Sequence, residues 1–181
     1  MQKVLLVITV ILLAVSSRAQ FSKGTLQATG LTCAMCSNAI NKALQTVPSV
    51  ASVRSDIRNS AFLIVFKTGA DVDIDALRKA VEDAGFGIGS LKLTGSFNQL
   101  TVDKDAHVPV GKSQFHFLVN SQQVLNGEQT LTVVDRDFVT AKQFKKISSD
   151  SKMTCLQTGK TAACCVKEGI ADGTRIYHVT L

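Results

Sequence analysis

The chain has 181 residues, with 20 lysine and arginine residues against 14 aspartate and glutamate residues, which gives a formal net charge of +6. The basic residues are scattered, with Lys145-Lys146 as the longest run, and the sequence has no Trp and one Tyr. A protein that binds nucleic acid would concentrate its basic residues on one face, with aromatic residues among them. The composition therefore argues against nucleic acid as a partner.

The first residues have the pattern of an export signal. Lys3 precedes the apolar run 4–15, and Ser17 and Ala19 place small residues where a signal peptidase reads them. We predict a secretory signal peptide over 1–19, cleaved after Ala19. The run would cover only about 18 Å as a helix, which is too short to cross a hydrocarbon core of about 30 Å. The mature protein is therefore expected to be periplasmic or secreted, without a stable membrane span.

Residues 20–95 show the order βαββαβ. Apolar residues spaced by three and four from Cys36 to Val47 predict the first helix, and Asp73 and Gly85 are suited to begin and end the second. The predicted strands cover residues 24–31, 50–58, 61–67 and 86–93. This order predicts a ferredoxin-like sandwich of the α+β class, with two helices on one face of a four-stranded antiparallel sheet.

Beyond Gly95-Ser96, which we interpret as a boundary, the pattern changes to short strands separated by turn residues. One helix is predicted over 141–147, with Thr140 as its N-cap. The predicted strands cover residues 100–102, 114–120, 130–135, 153–157, 162–166 and 175–180. Residues 96–181 are thus expected to form a small, mostly-β barrel with the architecture of an oligonucleotide-binding (OB-like) fold.

Cys33 and Cys36 are separated by two residues where the first predicted strand gives way to the first helix. Residues three apart at a helix start can bring two sulfur atoms to the same side. The positive end of the helix dipole favours the thiolate form, which is the form that binds metals. Two thiolates satisfy a soft ion that accepts two ligands, whereas zinc prefers four and calcium or magnesium prefer oxygen. The pair therefore indicates a metal site for Cu(I) or Hg(II).

The segment from Gly30 to Cys36 (GLTCAMC) resembles the GMTCxxC signature of the heavy-metal-associated domain, and the resemblance covers residues 23–94. It implies binding of Cu(I) and its transfer to a metal-exchanging protein partner, without catalytic turnover. Zinc-directed members carry Asp where Thr32 stands, so the resemblance favours copper or mercury. Phe86 lies in the loop where pump-attached and periplasmic members often carry an aromatic residue.

Other interpretations of the early cysteine pair are a mercury-scavenging protein of the periplasm, a structural disulfide, and a thiol–disulfide oxidoreductase. Met35 is a candidate third ligand of Cys33 and Cys36, although the residues between two such cysteines usually face solvent. The sequence has no thioredoxin-type βαβ unit and no Trp-Cys start, which makes a redox pair the weaker interpretation.

The late cysteines, Cys155, Cys164 and Cys165, fall on two predicted strands joined at Gly159-Lys160. A hairpin there would place Cys155 opposite Cys164 or Cys165, for a disulfide or for a second thiolate metal site with Met153 as an auxiliary ligand. The three histidines, His107, His116 and His178, are scattered singly in the sequence, and each is interpreted as a surface or strand residue. Ligation by one of them, His116, is left open.

Overall fold

The computed structural model describes residues 20–31, 34–151, 153–166 and 168–181, apart from the side chains of Ala34 and Cys164. The predicted signal peptide and Thr32–Cys33 lie outside the described residues. The strands are β1 (Gln20–Thr29), β2 (Val50–Asp56), β3 (Ala61–Phe66), β4 (Gly87–Val102), β5 (His107–Val110), β6 (Ser113–Phe117), β7 (Gln123–Val133) and β8 (Ile176–Thr180). The helices are α1 (Ala34–Gln45), α2 (Ile74–Asp83), α3 (Ala141–Asp150), α4 (Thr154–Thr158) and α5 (Ala163–Val166), and a 3-10 turn covers Arg136–Phe138.

The first half has the predicted βαββαβ order, and its strands lie in the order β2-β3-β1-β4, all antiparallel, as in a ferredoxin-like fold. The predicted ends of α2 are confirmed. The side chain of Asp73 accepts a hydrogen bond from the Ala76 backbone N–H at 2.9 Å, and Gly85 follows the helix with φ of +87°. The N-cap of α3 is confirmed as well, because Thr140 and Gln143 form a capping box.

The strands of the second half continue the sheet of the first half, in the full order β2-β3-β1-β4-β7-β8-β6-β5. β4 makes this possible because it pairs with β1 on one side and with β7 on the other. The OB-like barrel expected for residues 96–181 is not confirmed. The described strands instead form one mixed sheet, in which β6 and β8 run parallel and the other pairs antiparallel.

Gly95 and Ser96 lie inside β4 and not in a linker. A Cβ atom on Gly95 would come within 2.6 Å of the Gln20 carbonyl oxygen, so this glycine allows β1 to approach β4 closely. Gly95, which we interpreted as part of a domain boundary, is therefore explained by the close approach of the β1 and β4 backbones. Independent folding of residues 20–95 and 96–181 stays a prediction.

The strands predicted over 153–157 and 162–166 are wrong, because these segments form α4 and α5. Gly159, with φ of +66°, ends α4 by donating its backbone N–H to the Cys155 carbonyl at 2.7 Å. Short apolar runs of this length cannot be assigned to strand or helix by periodicity. Lys160 bridges to Arg175, so the Gly159-Lys160 turn does not form the predicted hairpin.

One continuous hydrophobic core joins the two halves. It contains Leu26, Ile40 and Leu77 from the first half and Phe115 and Val179 from the second, all fully buried. Burial of side chains of this size contributes about 1.5–3 kcal/mol each, so the core is the main source of stability.

Among the described helices, none has the length and apolar character needed to cross a membrane.

Arg175 links the two halves through an ion pair. Its Nε lies 3.0 Å from Oδ2 of Asp75, at the start of α2, and its Nη2 lies 3.6 Å from Oδ2 of Asp135. Burial alone would raise the pKa of Asp75, but the hydrogen bonds and positive charge of Arg175 outweigh it and hold that pKa below its usual range. The Arg175 guanidinium also lies over the Tyr177 ring, 4.2 Å from its centroid.

We expect Asp75→Asn to lower the free energy of unfolding by about 1–2 kcal/mol at pH 7, since it removes one partner of a half-buried charged hydrogen bond. A carboxyl group whose pKa is depressed by folding stabilises the protein above its unfolded pKa of about 3.9. The difference between wild type and variant should therefore shrink as the pH falls below about 4. Urea denaturation at a series of pH values measures it.

Asp83→Asn is the matched control. Asp83 pairs with Lys79 at 3.0 Å on the same helix, but both side chains are more than 60% exposed. An exposed pair of this kind contributes about 0–1 kcal/mol, so this variant should unfold nearly as the wild type does. Equal effects of the two substitutions would show that the Arg175 contact does not stabilise the protein.

Candidate metal centres

The first candidate centre lies where β1 leads into α1. Gly30 follows the strand in a left-handed conformation with φ of +81°, which turns the chain toward the helix. Leu31 packs against the core. Cys33 lies outside the described residues, whereas Cys36 is the third residue of α1 and is partly exposed.

The start of α1 provides a favourable environment for a thiolate at Cys36. The first turn carries no acidic residue, so the partial positive charge of the helix N-terminus is not offset there. The neighbouring Ser37 is buried, whereas Met35 is 82% exposed. This exposure agrees with the expectation that the residues between the cysteines face solvent.

Phe86 lies beside this turn, as the sequence indicated. Its backbone N–H donates to the Val81 carbonyl at 3.1 Å, and the residue packs against the hydrophobic core. A Cβ atom placed on Gly30 would lie 4.0 Å from the Phe86 ring. The ring therefore places apolar surface next to the loop that carries the cysteine pair.

A second constellation lies on the opposite part of the sheet, where three histidines align across three adjacent strands. His107 of β5 pairs with His116 of β6, and His116 pairs with His178 of β8. Residues directly opposite in neighbouring strands project from the same face of a sheet. The His107 and His116 rings stack with centroids 4.2 Å apart, and those of His116 and His178 are 5.0 Å apart.

Cys155 of α4 lies against this row of histidines. Its Sγ is 3.6 Å from Nδ1 of His116 and 3.3 Å from Nε2 of His178. Cys155, His116 and His178 each have 0% exposure. The helix thus packs a sulfur atom onto the histidine row inside the protein.

Two carboxylates orient the outer histidines. Oδ1 of the buried Asp135 lies 2.7 Å from Nδ1 of His178, and Oε2 of Glu168 lies 3.0 Å from Nδ1 of His107. Each carboxylate favours a proton on Nδ1, which leaves the Nε2 lone pair of that ring available. The orientation of both rings is therefore set by hydrogen bonds outside the row.

Within the described part of the chain, two ring nitrogens of this cluster are buried without a hydrogen-bond partner, namely Nε2 of His107 and Nε2 of His116. Buried polar atoms are normally paired, so these two call for an explanation. Burial, with a smaller contribution from the neighbouring His107 and His178, lowers the pKa of His116 to about 3. His116 is therefore a neutral imidazole at physiological pH.

The structure changes the interpretation of the late cysteines and the histidines. Cys155 and Cys165 are both buried on short helices, and the Cys164 side chain lies outside the described residues. Cys155 contacts His116 and His178, whereas the sequence interpretation placed no histidine in a common site with the late cysteines. β5 and β6 form a hairpin around Gly111, a turn residue from which the pairing of His107 with His116 could have been predicted. The parallel pairing of β8 with β6, which brings His178 beside His116, has no local sequence signal.

Residues 25–87 match the family model of the heavy-metal-associated domain. The chain is similar to copper-transporting ATPase 1 of Rhizobium meliloti, with 37% identity over 67 residues, which is 37% of this chain and 8% of the ATPase. It is also similar to a probable copper-transporting ATPase, HMA5, of Arabidopsis thaliana, with 32% identity over 65 residues, or 36% of this chain and 6% of that protein. The chain therefore spans less than a tenth of the length of these relatives.

Among solved structures, the chain is similar to the Cu(I)-loaded N-terminal domain of a potential copper-translocating P-type ATPase from Bacillus subtilis. The identity is 26%, the TM-score is 0.35, and the alignment covers 42% of this chain and 90% of that domain. The family match coincides with the βαββαβ unit described above. Residues 25–87 of this chain are thus similar in sequence to the heavy-metal-associated domain.

Proposed function

We propose that this protein is an exported carrier that binds Cu(I) through Cys33 and Cys36 and passes the ion to a protein partner by ligand exchange. The observation that carries the proposal is the position of Cys36. It lies partly exposed in the first turn of α1, within a segment that matches the heavy-metal-associated domain. Cys33 directly precedes that helix in the sequence.

The two ATPase relatives, one copper-transporting and one a probable copper-transporting ATPase, support copper as the ion. The similarity is confined to about a third of this chain and under a tenth of each ATPase, so it supports the metal-binding module and not the pump. The partner we infer is a protein with a similarly exposed cysteine pair, because thiolate ligands can then replace one another stepwise on the ion.

The surroundings of Cys36 favour exchange over permanent storage. The exposed side chain of Met35 leaves room for a partner to approach, and the Phe86 ring offers apolar surface beside the loop at Gly30. An ion held by two thiolates at the protein surface can accept a third ligand without unfolding of the site. The site is therefore suited to handing over a metal and not to chemical turnover.

We infer that the predicted signal sequence over 1–19 directs the chain to the periplasm or outside the cell. Cysteine pairs tend to oxidise in such compartments, so a pair used for metal binding must be kept reduced or loaded. A bound Cu(I) ion would itself protect Cys33 and Cys36 from forming a disulfide.

Replacing both Cys33 and Cys36 by Ser in the full chain should remove one tightly bound Cu(I) ion per molecule, because serine hydroxyls are poor ligands for a soft ion. Anaerobic titration against a chromophoric Cu(I) chelator measures the loss. Far-UV circular dichroism should be unchanged, since the hydrophobic core does not depend on this pair.

Met35→Leu serves as the control in the same titration. It removes the exposed thioether and should bind Cu(I) as the wild type does, so a loss of affinity would make Met35 a ligand. Unchanged copper binding by the double serine variant would contradict the proposed site. Metal analysis of protein purified anaerobically from its native compartment decides between copper and mercury.

A redox function makes a different prediction. A thiol–disulfide oxidoreductase needs a readily cycled disulfide and should accelerate the reduction of insulin by dithiothreitol. We expect this protein to give the rate of dithiothreitol alone, because the described strands β1 to β4 are all antiparallel and do not form a thioredoxin-type βαβ unit around Cys36. Turnover that disappears in Cys33→Ser would make the protein an oxidoreductase and overturn the carrier proposal.

A further inference from the structure

We propose that His107, His116 and Cys155 bind one Cu(I) ion in a second, buried, three-coordinate site that is independent of Cys33 and Cys36. The three residues come from β5, β6 and α4, which are brought together only by the fold. Each offers one ligand atom, and these atoms all lie within 4.8 Å of one another. The set consists of two imidazole nitrogens and one sulfur.

The spacing of the donors is close to that of atoms bound to one ion. In a three-coordinate site, metal–sulfur and metal–nitrogen bonds of about 2.3 and 2.0–2.1 Å place sulfur and nitrogen about 3.8 Å apart. The distance between Sγ of Cys155 and Nδ1 of His116 is 3.6 Å. The rings of His107 and His116 stack with their centroids 4.2 Å apart, which keeps both imidazoles on the same side of the sheet as Cys155.

The unpartnered nitrogens are the second, independent observation. Nε2 of His107 belongs to a side chain that is 2% exposed, and Nε2 of His116 to one that is 0% exposed. Neither atom has a hydrogen-bond partner among the described residues. A buried lone pair without a partner costs free energy, which a bound cation would recover at Nε2 of His107. His116 would bind the ion through Nδ1, the nitrogen that faces Cys155, and would carry its proton on Nε2, 3.9 Å from Oδ1 of Asp105.

The neighbouring residues provide the support that metal ligands usually have. Glu168 fixes the ring of His107 through Nδ1, and Asp135 fixes His178 in the same way. Nε2 of His178 faces Sγ of Cys155 at 3.3 Å and can receive the thiol proton when the sulfur binds the ion. His178 and Asp135 are thus positioning residues.

The coordination number favours Cu(I) over zinc. Zinc with three protein ligands keeps an open position for water, but His116 and Cys155 are fully buried. Cu(I) accepts three ligands, and thiolate and imidazole both suit copper. The half-exposed carboxylates of Glu168 and Asp105, next to His107 and His116, mark the side from which a cation can enter.

The order Cys155–His178–Asp135 also matches that of a thiol catalytic triad. All three residues are buried, with 0%, 0% and 4% exposure, so a substrate larger than an ion cannot reach the sulfur. The burial that excludes such a substrate is compatible with a bound metal ion.

The experiment is an anaerobic Cu(I) titration of the reduced full-length protein against a chromophoric chelator. We expect two copper ions per wild-type chain and one in Cys33→Ser/Cys36→Ser. One ion in the wild type and none in that variant would overturn the second site and leave the carrier proposal intact. One ion in both proteins would refute the first site and support the second.

Ligand variants are then made in the Cys33→Ser/Cys36→Ser background. Cys155→Ser and His107→Gln should each abolish the remaining site, with folding checked by circular dichroism. Cys164→Ser/Cys165→Ser is the matched control and should keep it. Loss of copper in this control would overturn the ligand set in favour of a thiolate cluster.

X-ray absorption spectroscopy of the copper-loaded Cys33→Ser/Cys36→Ser protein identifies the ligand atoms without any substitution at the buried site. Its result therefore does not depend on whether the ligand variants fold. We expect two nitrogen ligands and one sulfur ligand per copper. A first shell without sulfur, or tighter binding of zinc than of Cu(I) at the same site, would overturn the proposal.

Discussion

The pairing of β4 with strands on both of its sides is the constraint on which the rest of the structure depends. Residues 91–96 of this strand are hydrogen-bonded to β1 on one side and to β7 on the other. Gly95 allows the required approach of β1, because any Cβ there would collide with the Gln20 carbonyl. The sheet therefore passes without interruption from the βαββαβ unit of the first half into the second half, and both candidate metal centres are positioned by one framework.

The two centres differ in the property that governs metal exchange, which is access. Cys36 lies at the surface in the first turn of a helix, with Met35 exposed beside it. Cys155 and His116 are fully enclosed by the sheet and the short helices. A partner's thiolates could reach Cys36 directly, whereas an ion bound to His107, His116 and Cys155 would be enclosed within the protein. The first arrangement suits transfer and the second suits retention.

The sequence predicted the parts of the fold that depend on local signals. The βαββαβ order, the cap at Asp73 and the capping box at Thr140 follow from residue types within a few positions. The short helices around Cys155 and Cys165 were missed, because apolar runs of four or five residues fit a strand equally well. The place of His178 in the histidine row could not be predicted for another reason, since it arises from the long-range pairing of β8 with β6.

The place of β8 in the sheet governs how the second half can assemble. β8 lies between β6 and β7 in the sheet. The hairpin of β5 and β6 is therefore not hydrogen-bonded to the other described strands until this late segment is inserted. Before that step, β6 and β7 both present unpaired backbone groups along an open edge, and such edges promote association between chains. Rapid insertion of residues 176–180 would thus protect a newly folding chain from aggregation.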